Sequence, residues 1–352
     1  MNRILSTWFK RYLSHPEAIA LVVICILFLI IFKTMGQILV PIILSIVITY
    51  LLFGLLKQLE YWHCPHLLAV SIVFLLFMSL LLLAILWLLP LLWEEMIGLV
   101  TEIPMMLSEV RTLVLELHNY FPDLISVAQV EQVVTNVISY LANFGKEIVA
   151  FSLASLFGIV TVIVYLILVP LLVFFFLRDG NSIICWLTGF LPEKRQVLRE
   201  VWHEMHKKIH RYVLGKIVEI IIVAAVTAIT FELLGLCYAM LLGALVGLSV
   251  VVPYIGIIII TVPVVIVGMI QWGLTEHFFY VMAVYFIISI LDANVLVPIL
   301  FSEVMNLHPL AIILSVLVFG NLFGFWGVFF AIPLVTLVNV VVKSWPKGDQ
   351  IG

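Results

Sequence analysis

The sequence predicts an all-α, polytopic membrane protein with about eight transmembrane helices, of which several in the C-terminal half are broken or re-entrant. Composition is the first reason. Hydrophobic residues make up 65% of the 352 residues, charged residues make up 11%, and the mean hydropathy is +1.30. Soluble domains contain roughly 45–50% apolar and 25% charged residues. The second reason is that apolar stretches of about 20 residues, the length that spans a bilayer, recur along the chain.

Five continuous apolar stretches come first. They lie at about 18–32, 37–56, 67–93, 148–177 and 213–234. The first follows Arg3, Lys10 and Arg11 without a small-residue cleavage site after it, so we expect a retained helix rather than a signal peptide. The cysteines form no C-x-x-C pair, and we expect unpaired thiols at Cys25, Cys64, Cys185 and Cys237.

Beyond residue 234 the apolar stretches are separated by glycine, proline and single polar residues. They lie at about 236–251, 255–270, 278–300, 307–320 and 324–342. Several are too short to cross a bilayer alone. We therefore expect a mixture of complete helices and half-helices in this part of the chain.

Basic residues predict the orientation of the chain in the membrane. The segment 178–216 contains eight Lys or Arg residues, whereas 94–147 contains two against eight Asp or Glu residues. Because Lys and Arg near membrane ends are retained in the cytoplasm, the first segment is expected inside and the second outside. The basic N-terminus, and Lys343 and Lys347 near the C-terminus, place both ends in the cytoplasm.

These patterns divide the chain into six expected parts. They are N-terminal transmembrane helices 1–3 at 1–93, an extracytoplasmic amphipathic helical arm at 94–147, transmembrane helix 4 at 148–177, a cytoplasmic amphipathic segment at 178–212, a transport core with broken helices at 213–342 and a cytoplasmic tail at 343–352. The arm has apolar residues at helical spacing. Such faces must be buried, which suits either simple packing or a gate.

Two motifs next to the fourth helix have structural interpretations. The stretch FFFLRDG places Gly180 where a helix C-terminal cap is expected. Further on, His203, His206 and His210 share one helix face. Positions seven apart on one helix do not converge on a single ion, and no Cys or Asp nearby completes a ligand shell, so we expect no metal site. A sensor of pH and a solvated stripe are the alternatives.

Ionisable residues inside apolar stretches are candidate functional residues, because a charge is costly there. Lys216 and Glu219 lie one turn apart where the fifth helix enters the membrane, so that each can neutralise the other. Glu232 lies at the far end of the same helix. Asp292 is the carboxylate that we favour for coupling to an ion or a proton, with Glu219 and Glu232 as further candidates.

Three interruptions of the apolar pattern predict discontinuous helices. The first lies in SVVVPYIGIIIITVP, residues 249–263, the second in SILDANVLVPIL, residues 289–300, and the third in LHPLAIILSVLVFGNLFGFWGVFFAIP, residues 307–333. Discontinuous helices expose helix ends and free carbonyls to substrate at the membrane midplane. The residues expected to line such a pathway are Pro253, Tyr254, Gly256, Asp292, Asn294, Pro298, His308, Gly320, Asn321, Gly324 and Gly327.

Several function classes are excluded by the same sequence. The net charge of -3 argues against a nucleic-acid partner, and we found no catalytic motif and no phosphate loop, so we expect neither an enzyme nor a cofactor. The leading hypothesis is secondary transport or export of a small polar molecule. The alternatives are a sodium/proton-type cation antiporter and a non-transporting membrane scaffold that recruits partners through the arm.

An ordered set of motifs resembles the autoinducer-2 exporter (AI-2E) family of PerM-like permeases. The motifs are FFFLRDG at Phe174 to Gly180, LP followed by Arg195, YVLGK at Tyr212 to Lys216, VPYIG at Val252 to Gly256, NVLVP at Asn294 to Pro298, LHPL at Leu307 to Leu310 and GFWGVFFAIP at Gly324 to Pro333. Three positions depart from the family pattern. Ile257 stands where proline often follows the VPYIG glycine, Lys216 where glutamine is common, and Phe301 where glycine is expected.

The resemblance implies a bacterial inner-membrane protein with about eight membrane helices that lies in the lipid bilayer and forms a homo-oligomer, for which a pentamer is expected. Members of the family have been linked to export of the furanone signal autoinducer-2, and some to exchange of sodium or lithium against protons. The expected substrate is therefore a small molecule or an ion. The departures at Lys216 and Phe301 weaken the expectation of a polar substrate path at those two positions.

Overall fold

The computed structural model of the chain describes residues 16–102, 132, 156–189, 196–301 and 308–344. Every secondary-structure element within these ranges is helical. Seven of the helices are long and apolar enough to cross a membrane, and two shorter apolar helices, Ala239–Ser249 and Ala331–Val340, accompany them in the described part. The predicted fold class is confirmed. The protein is a multi-pass α-helical membrane protein.

The first four helices are long. Helix α1 is Pro16–Tyr61, α2 is His66–Leu83, α3 is Leu156–Thr188 and α4 is Gln196–Leu233. After α2 a π-helical turn at Ala84–Leu88 leads into a further helical stretch, residues 89–102, which we call the α2 extension. The continuous run from His66 to Glu102 has 37 residues. At about 1.5 Å per residue it is longer than the roughly 30 Å hydrocarbon core.

The remaining helices have between 5 and 21 residues. They are α5 at Ala239–Ser249, α6 at Ile255–Trp272, α7 at Glu276–Leu291, α8 at Val297–Phe301, α9 at Pro309–Phe329 and α10 at Ala331–Ser344. A second π-helical segment, Asp292–Leu296, joins α7 to α8.

Two predicted helix ends are wrong, because a local interruption of the apolar pattern does not by itself end a helix. The stretches 18–32 and 37–56 belong to the single helix α1. Only Lys33, Thr34, Met35 and Gly36 separate them, and a lone glycine costs a helix only about 1 kcal/mol. Helix α3 continues beyond Gly180 to Thr188, so this glycine is inside the helix and is not a cap. The predicted amphipathic segment and the span after it lie in one helix, α4, and the point at which this helix enters the membrane stays a prediction.

The chain divides into two compact units. The first comprises Met1–Phe77, Ile167–Val218 and Val297–Gly352, and the second comprises Met78–Leu166 and Glu219–Leu296. In the first unit, α1, α2 and α3 pack around a cluster that includes Leu56, Val70 and Val173, and α9 packs against α10. In the second unit, α4 to α7 pack around a cluster that includes Phe231, Leu242, Val264, Val281 and Tyr285. Most of the predicted arm, and the start of the predicted fourth helix, lie outside the described residues.

Candidate functional site

The first predicted interruption is the tip of a helical hairpin in the second unit. We call α5 and α6 with their connection the α5–α6 hairpin, and residues 250–254 its tip. Helix α5 has 11 residues, a length of about 16 Å or half of the hydrocarbon core. Tyr254, at φ 64°, ends the regular backbone, and α6 begins at the next residue. The half-helix predicted from the sequence is therefore present.

Gly256 permits this tip because the end of α5 lies directly against Gly256. A Cβ atom placed on this buried glycine would lie 1.8 Å from the carbonyl oxygen of Ser249 at the end of α5. Real Cβ atoms essentially never come closer than 3.0 Å to another heavy atom. Only glycine fits here, because of the close backbone approach and with its helical φ unchanged.

Helix α5 docks on α4 through small residues. A Cβ atom on Gly243 would lie 2.5 Å from the Cβ of Ala228, and one on Gly247 would lie 2.5 Å from the Cβ of Ala224. Both glycines are buried, four residues apart, and meet alanines that are also four residues apart and run in the opposite direction. This is the small-xxx-small packing of membrane helices. Sequence reasoning missed it, although the G-x-x-x-G spacing was visible.

The base of the α5–α6 hairpin is the loop 234–238, which polar side chains hold. The Gln271 amide donates to the carbonyl oxygen of Gly235 at 2.6 Å and accepts from the Cys237 amide at 2.8 Å. An Nε2–oxygen distance of 3.1 Å joins the His277 ring to the carbonyl of Leu234. These bonds tie the end of α6 and the start of α7 to the loop.

A second set of contacts to the hairpin base comes from the α2 extension. The Glu95 carboxylate accepts a hydrogen bond from the Leu241 amide at 2.7 Å. Glu102 accepts a hydrogen bond from the Tyr238 hydroxyl, and burial together with this carboxylate raises the pKa of the Tyr238 phenol. A Cβ on Gly98 would lie 3.0 Å from the ring of the same tyrosine. Sequence reasoning placed none of these acidic residues in the site.

The second predicted interruption is a bulge and not a break. From Glu276 to Phe301 the chain is helical throughout, with the π-helical turn at its middle. Pro298 lacks an N–H group, and its ring crowds the preceding turn, which a wider turn relieves. Asp292 opens the bulge and is half-buried. The side-chain amide of Asn294 donates to the carbonyl of Ile290 at 2.9 Å.

The third predicted interruption is a second hairpin turn, at Gly324 in the first unit, and it divides the segment given above as α9. Gly324 has φ 60° and ψ -141°, outside the helical region and accessible mainly to glycine. The chain reverses there, because a Cβ on Gly327 would lie 1.8 Å from the carbonyl oxygen of Phe319, and one on Gly320 would lie 2.9 Å from the side chain of Val328. Asn321 is exposed near this turn.

The end of the same turn is closed by a tyrosine from α4. The Tyr212 hydroxyl, on a side chain that is 1% exposed, donates to the carbonyl oxygen of Phe329 at 2.8 Å. Its ring lies 5.6 Å from that of Phe301 between centroids. The Nζ atom of Lys216, 4% exposed, lies 5.2 Å above the Phe301 ring. Lys216 and Phe301, two of the positions that the resemblance marks as departures, therefore contact each other.

The remaining predicted residues differ in burial. Glu219 is 2% exposed within α4, whereas Glu232 is exposed near the end of that helix. Burial alone does not assign a role to either glutamate. The neutralisation of Lys216 by Glu219 stays a prediction. His308 caps α9, since its Nδ1 atom accepts from the Leu310 amide at 3.2 Å.

The histidine stripe of α4 packs on an aromatic residue of α1 in the first unit. The Tyr50 hydroxyl and the His206 Nδ1 atom are 3.0 Å apart, and the Tyr50 ring lies 5.6 Å from that of His210 between centroids. His203 is exposed. Across the described residues no group of three His, Cys, Asp or Glu side chains is placed to hold a metal ion.

Comparison with known proteins identifies the family. The family model for AI-2E family transporters matches residues 19–347. This chain belongs to the AI-2E transporter family. It is 44% identical over 350 residues to the Escherichia coli strain K12 protein named "Putative permease PerM", with 99% of each chain covered. It is 28% identical to "Putative transport protein YueF" of Bacillus subtilis strain 168, over 83% of this chain and 80% of that protein. The AI-2E resemblance inferred from the motifs is confirmed.

Proposed function

We propose that this AI-2E family member is a permease that moves a small polar solute, of the size and polarity of autoinducer-2, across the bacterial inner membrane. The observation that carries the proposal is the pair of tight hairpin turns in apolar sequence, at 250–254 and at Gly324. Non-helical backbone at membrane depth leaves polar groups that hydrocarbon cannot satisfy. It is tolerated where protein buries it or where it lines a wet cavity.

The proposed pathway is lined by the predicted residues of the three interruptions. Half-helix ends present free N–H and C=O groups that bind polar parts of a solute. In the α5–α6 hairpin, Tyr254 is 54% exposed at the tip, which suits a side chain that faces solute. At the Asp292–Leu296 bulge, Asp292 and Asn294 add a carboxylate and an amide. We propose that one helix bundle moves against another, so that the pathway opens alternately to each side of the membrane. No nucleotide drives this movement in the proposed mechanism.

The carboxylate best supported for coupling is Glu219, ahead of Asp292. An ionisable side chain buried inside the membrane is by default a functional candidate, and Glu219 is the more deeply buried of the two. The antiparallel contacts of Gly243 with Ala228 and of Gly247 with Ala224 set a register. Continued along α5, that register brings the hairpin tip within about one helical turn of Glu219. Glu232, exposed at the helix end, is the weakest of the three.

Transport is tested by comparing wild-type cells with cells that lack this protein. The expected result is a lower extracellular and higher intracellular level of autoinducer-2 or of another small polar metabolite when the protein is absent. Purified protein in liposomes should then move that solute. Identical profiles in both strains, together with no flux in liposomes, would refute the permease.

The buried carboxylate also favours a second candidate function, a cation/proton antiporter. In liposomes that hold a pH-sensitive dye, Glu219→Gln and Asp292→Asn should each abolish proton-coupled sodium flux, because the neutral amide cannot exchange a proton. The matched control is Glu232→Gln, which we expect to retain flux. Unchanged sodium flux in both buried-site variants would exclude the antiporter and leave solute export. The scaffold hypothesis would gain if deletion of 94–147 removed function while Tyr254 and Gly256 variants kept it.

We further propose that the protein is a homo-oligomer, with the pentamer that the resemblance implies, and that both termini are cytoplasmic. The distribution of Lys and Arg between 178–216 and 94–147 supports this orientation. We also propose 213–342 as the transport core, because the three interruptions lie in it. Native mass spectrometry of the detergent-solubilised protein gives the subunit number, and fluorescent or enzymatic tags at each terminus report its side of the membrane.

A further inference from the structure

The N-terminus of α5 has no cap from its own sequence. The preceding residue, Tyr238, has φ 58°, and its side chain forms no capping hydrogen bond. The first helical residues are nevertheless buried, among them Ala239 and Leu241. The first N–H groups of a helix have no partner within the helix. Where the helix start is buried they need a partner from elsewhere, because a buried N–H group without a hydrogen bond is strongly destabilising.

Glu95 supplies the missing cap from another helix. Its Oε2 atom accepts from the amide of Leu241, the third residue of α5. That position is the one whose amide an ordinary capping side chain would satisfy. A carboxylate also suits the positive end of the helix dipole. The bond joins residues that are 146 positions apart in the chain.

Two more residues on the same face of the α2 extension contact the hairpin base. Gly98 lies three positions beyond Glu95, and Glu102 lies seven positions beyond it, so all three face the same side of a helix. Gly98 leaves room for the Tyr238 ring, and Glu102 accepts from its hydroxyl. The α2 extension therefore contacts the start of α5 through Glu95 and Glu102, and Gly98 between them leaves space for the Tyr238 ring.

These contacts add to the close steric packing of α5 on α4. Gly243 and Gly247 meet alanine side chains, and such contacts fix the distance between two helices. They also set the register of α5 along α4, by shape alone. The hydrogen bond from Leu241 to Glu95 adds a directional attachment at the base of α5, which is short enough to act as a rigid rod between its base and the tip at 250–254.

We propose that Glu95, Gly98 and Glu102 are positioning residues that set the place of the α5–α6 hairpin and thereby of its tip in the transport pathway. The proposal rests on the proposed function only for the role of the tip.

The test measures the tip directly. In a background with Cys25, Cys64, Cys185 and Cys237 replaced by serine, Tyr254→Cys places one thiol at the tip of the hairpin. Its rate of reaction with a membrane-impermeant maleimide is measured in proteoliposomes without any solute. Adding Glu95→Ala should raise this rate about tenfold or more, the scale set by loss of one charge-assisted hydrogen bond. Amide hydrogen exchange at 239–242 should accelerate by a similar factor.

Two further variants separate positioning from general destabilisation. Glu95→Gln keeps an oxygen that can accept from Leu241, so it should restore most of the wild-type labelling rate. Glu94→Ala removes the neighbouring exposed carboxylate and should change neither readout. If Glu95→Ala does not fold, Tyr238→Phe, which removes only the hydroxyl that Glu102 accepts from, should still raise the labelling rate.

The proposal is overturned if Glu95→Ala and Tyr238→Phe both label and exchange like Glu94→Ala. It is also overturned if Glu95→Gln behaves like Glu95→Ala and both simply lower the apparent Tm. The labelling experiment contains no solute, so its outcome is independent of the proposed permease activity. A change in labelling without solute flux in the parent protein would support the positioning role and count against the permease.

Discussion

Replacing Gly256 by alanine is the sharpest perturbation of the α5–α6 hairpin. The added Cβ would lie 1.8 Å from the carbonyl oxygen of Ser249, against a practical minimum of 3.0 Å. The backbone must therefore move by at least about 1.2 Å, the difference between these values. Neither atom is at the end of a flexible side chain, so no rotamer change relieves the clash.

The expected loss of stability follows from this geometry. Overpacking by one methyl group in a close-packed interior costs about 1–3 kcal/mol when side chains absorb it, and occasionally more. Since backbone must yield here, we expect Gly256→Ala to cost at least about 3 kcal/mol. Thermal unfolding of the detergent-solubilised protein, followed by tryptophan fluorescence and by loss of the size-exclusion peak, measures it as a lowered apparent Tm. Transport should fall with it.

Gly54 provides the matched control. It is also a helical glycine, but a Cβ added there would meet nothing within 4 Å. Gly54→Ala should leave the Tm unchanged or raise it slightly, because alanine stabilises a helix by up to about 1 kcal/mol relative to glycine. An apparent Tm of Gly256→Ala equal to that of Gly54→Ala would refute the assignment of 250–254 as a closely packed hairpin tip.

Two other substitutions test the remaining contacts. Tyr212→Phe removes the hydroxyl that donates to the buried Phe329 carbonyl and should cost about 1–3 kcal/mol in thermal unfolding. The control Tyr280→Phe, at an exposed side chain, should cost nothing measurable. Equal Tm values for the two variants would contradict the role of the bond. Gly243→Ala should lower the Tm, and adding Ala228→Gly should rescue it only partly, because the backbone nitrogen of residue 228 is also 2.5 Å from the new Cβ. Full rescue would show that the side chain alone limits the approach of α5 to α4.

The interruptions could be predicted because their cause is local. Pro253 and Gly256 lie beside a non-helical residue, and Gly324 takes a positive φ that other residues avoid. The interruption expected at Asp292 to Pro298 is instead a π-helical bulge. A proline alone does not distinguish a bulge from a break, because the outcome depends on whether the flanking turns can widen against their neighbours.

Helix ends were predicted less well for a related reason. Gly180 and the residues between 32 and 37 resemble the ends of helices, yet α3 and α1 continue through them. Each added residue of an established helix gains a hydrogen bond at small cost, so a weak local signal does not stop it. Ending a helix takes a proline, a positive φ or a tertiary contact.

Lys216 and Phe301 show how a pair becomes interpretable only in three dimensions. As separate departures from the family pattern they suggest a less polar path at two places. In the structure the ammonium lies over the aromatic ring, an arrangement in which the ring face stabilises a cation. A phenylalanine at this position thus provides a favourable contact for a buried lysine.

The sequence by itself determined that this is a polytopic helical membrane protein of the AI-2E family, and where the α5–α6 hairpin and the Gly324 turn interrupt its helices. Hydropathy and the backbone preferences of glycine and proline act over a few residues, so they can be recognised in the sequence alone. Only the tertiary structure decided that Glu95 caps α5 and that Tyr212 closes the turn at Phe329, across 146 and 117 positions of chain. A hydrogen bond needs two particular groups about 3 Å apart, and no local pattern names the distant partner.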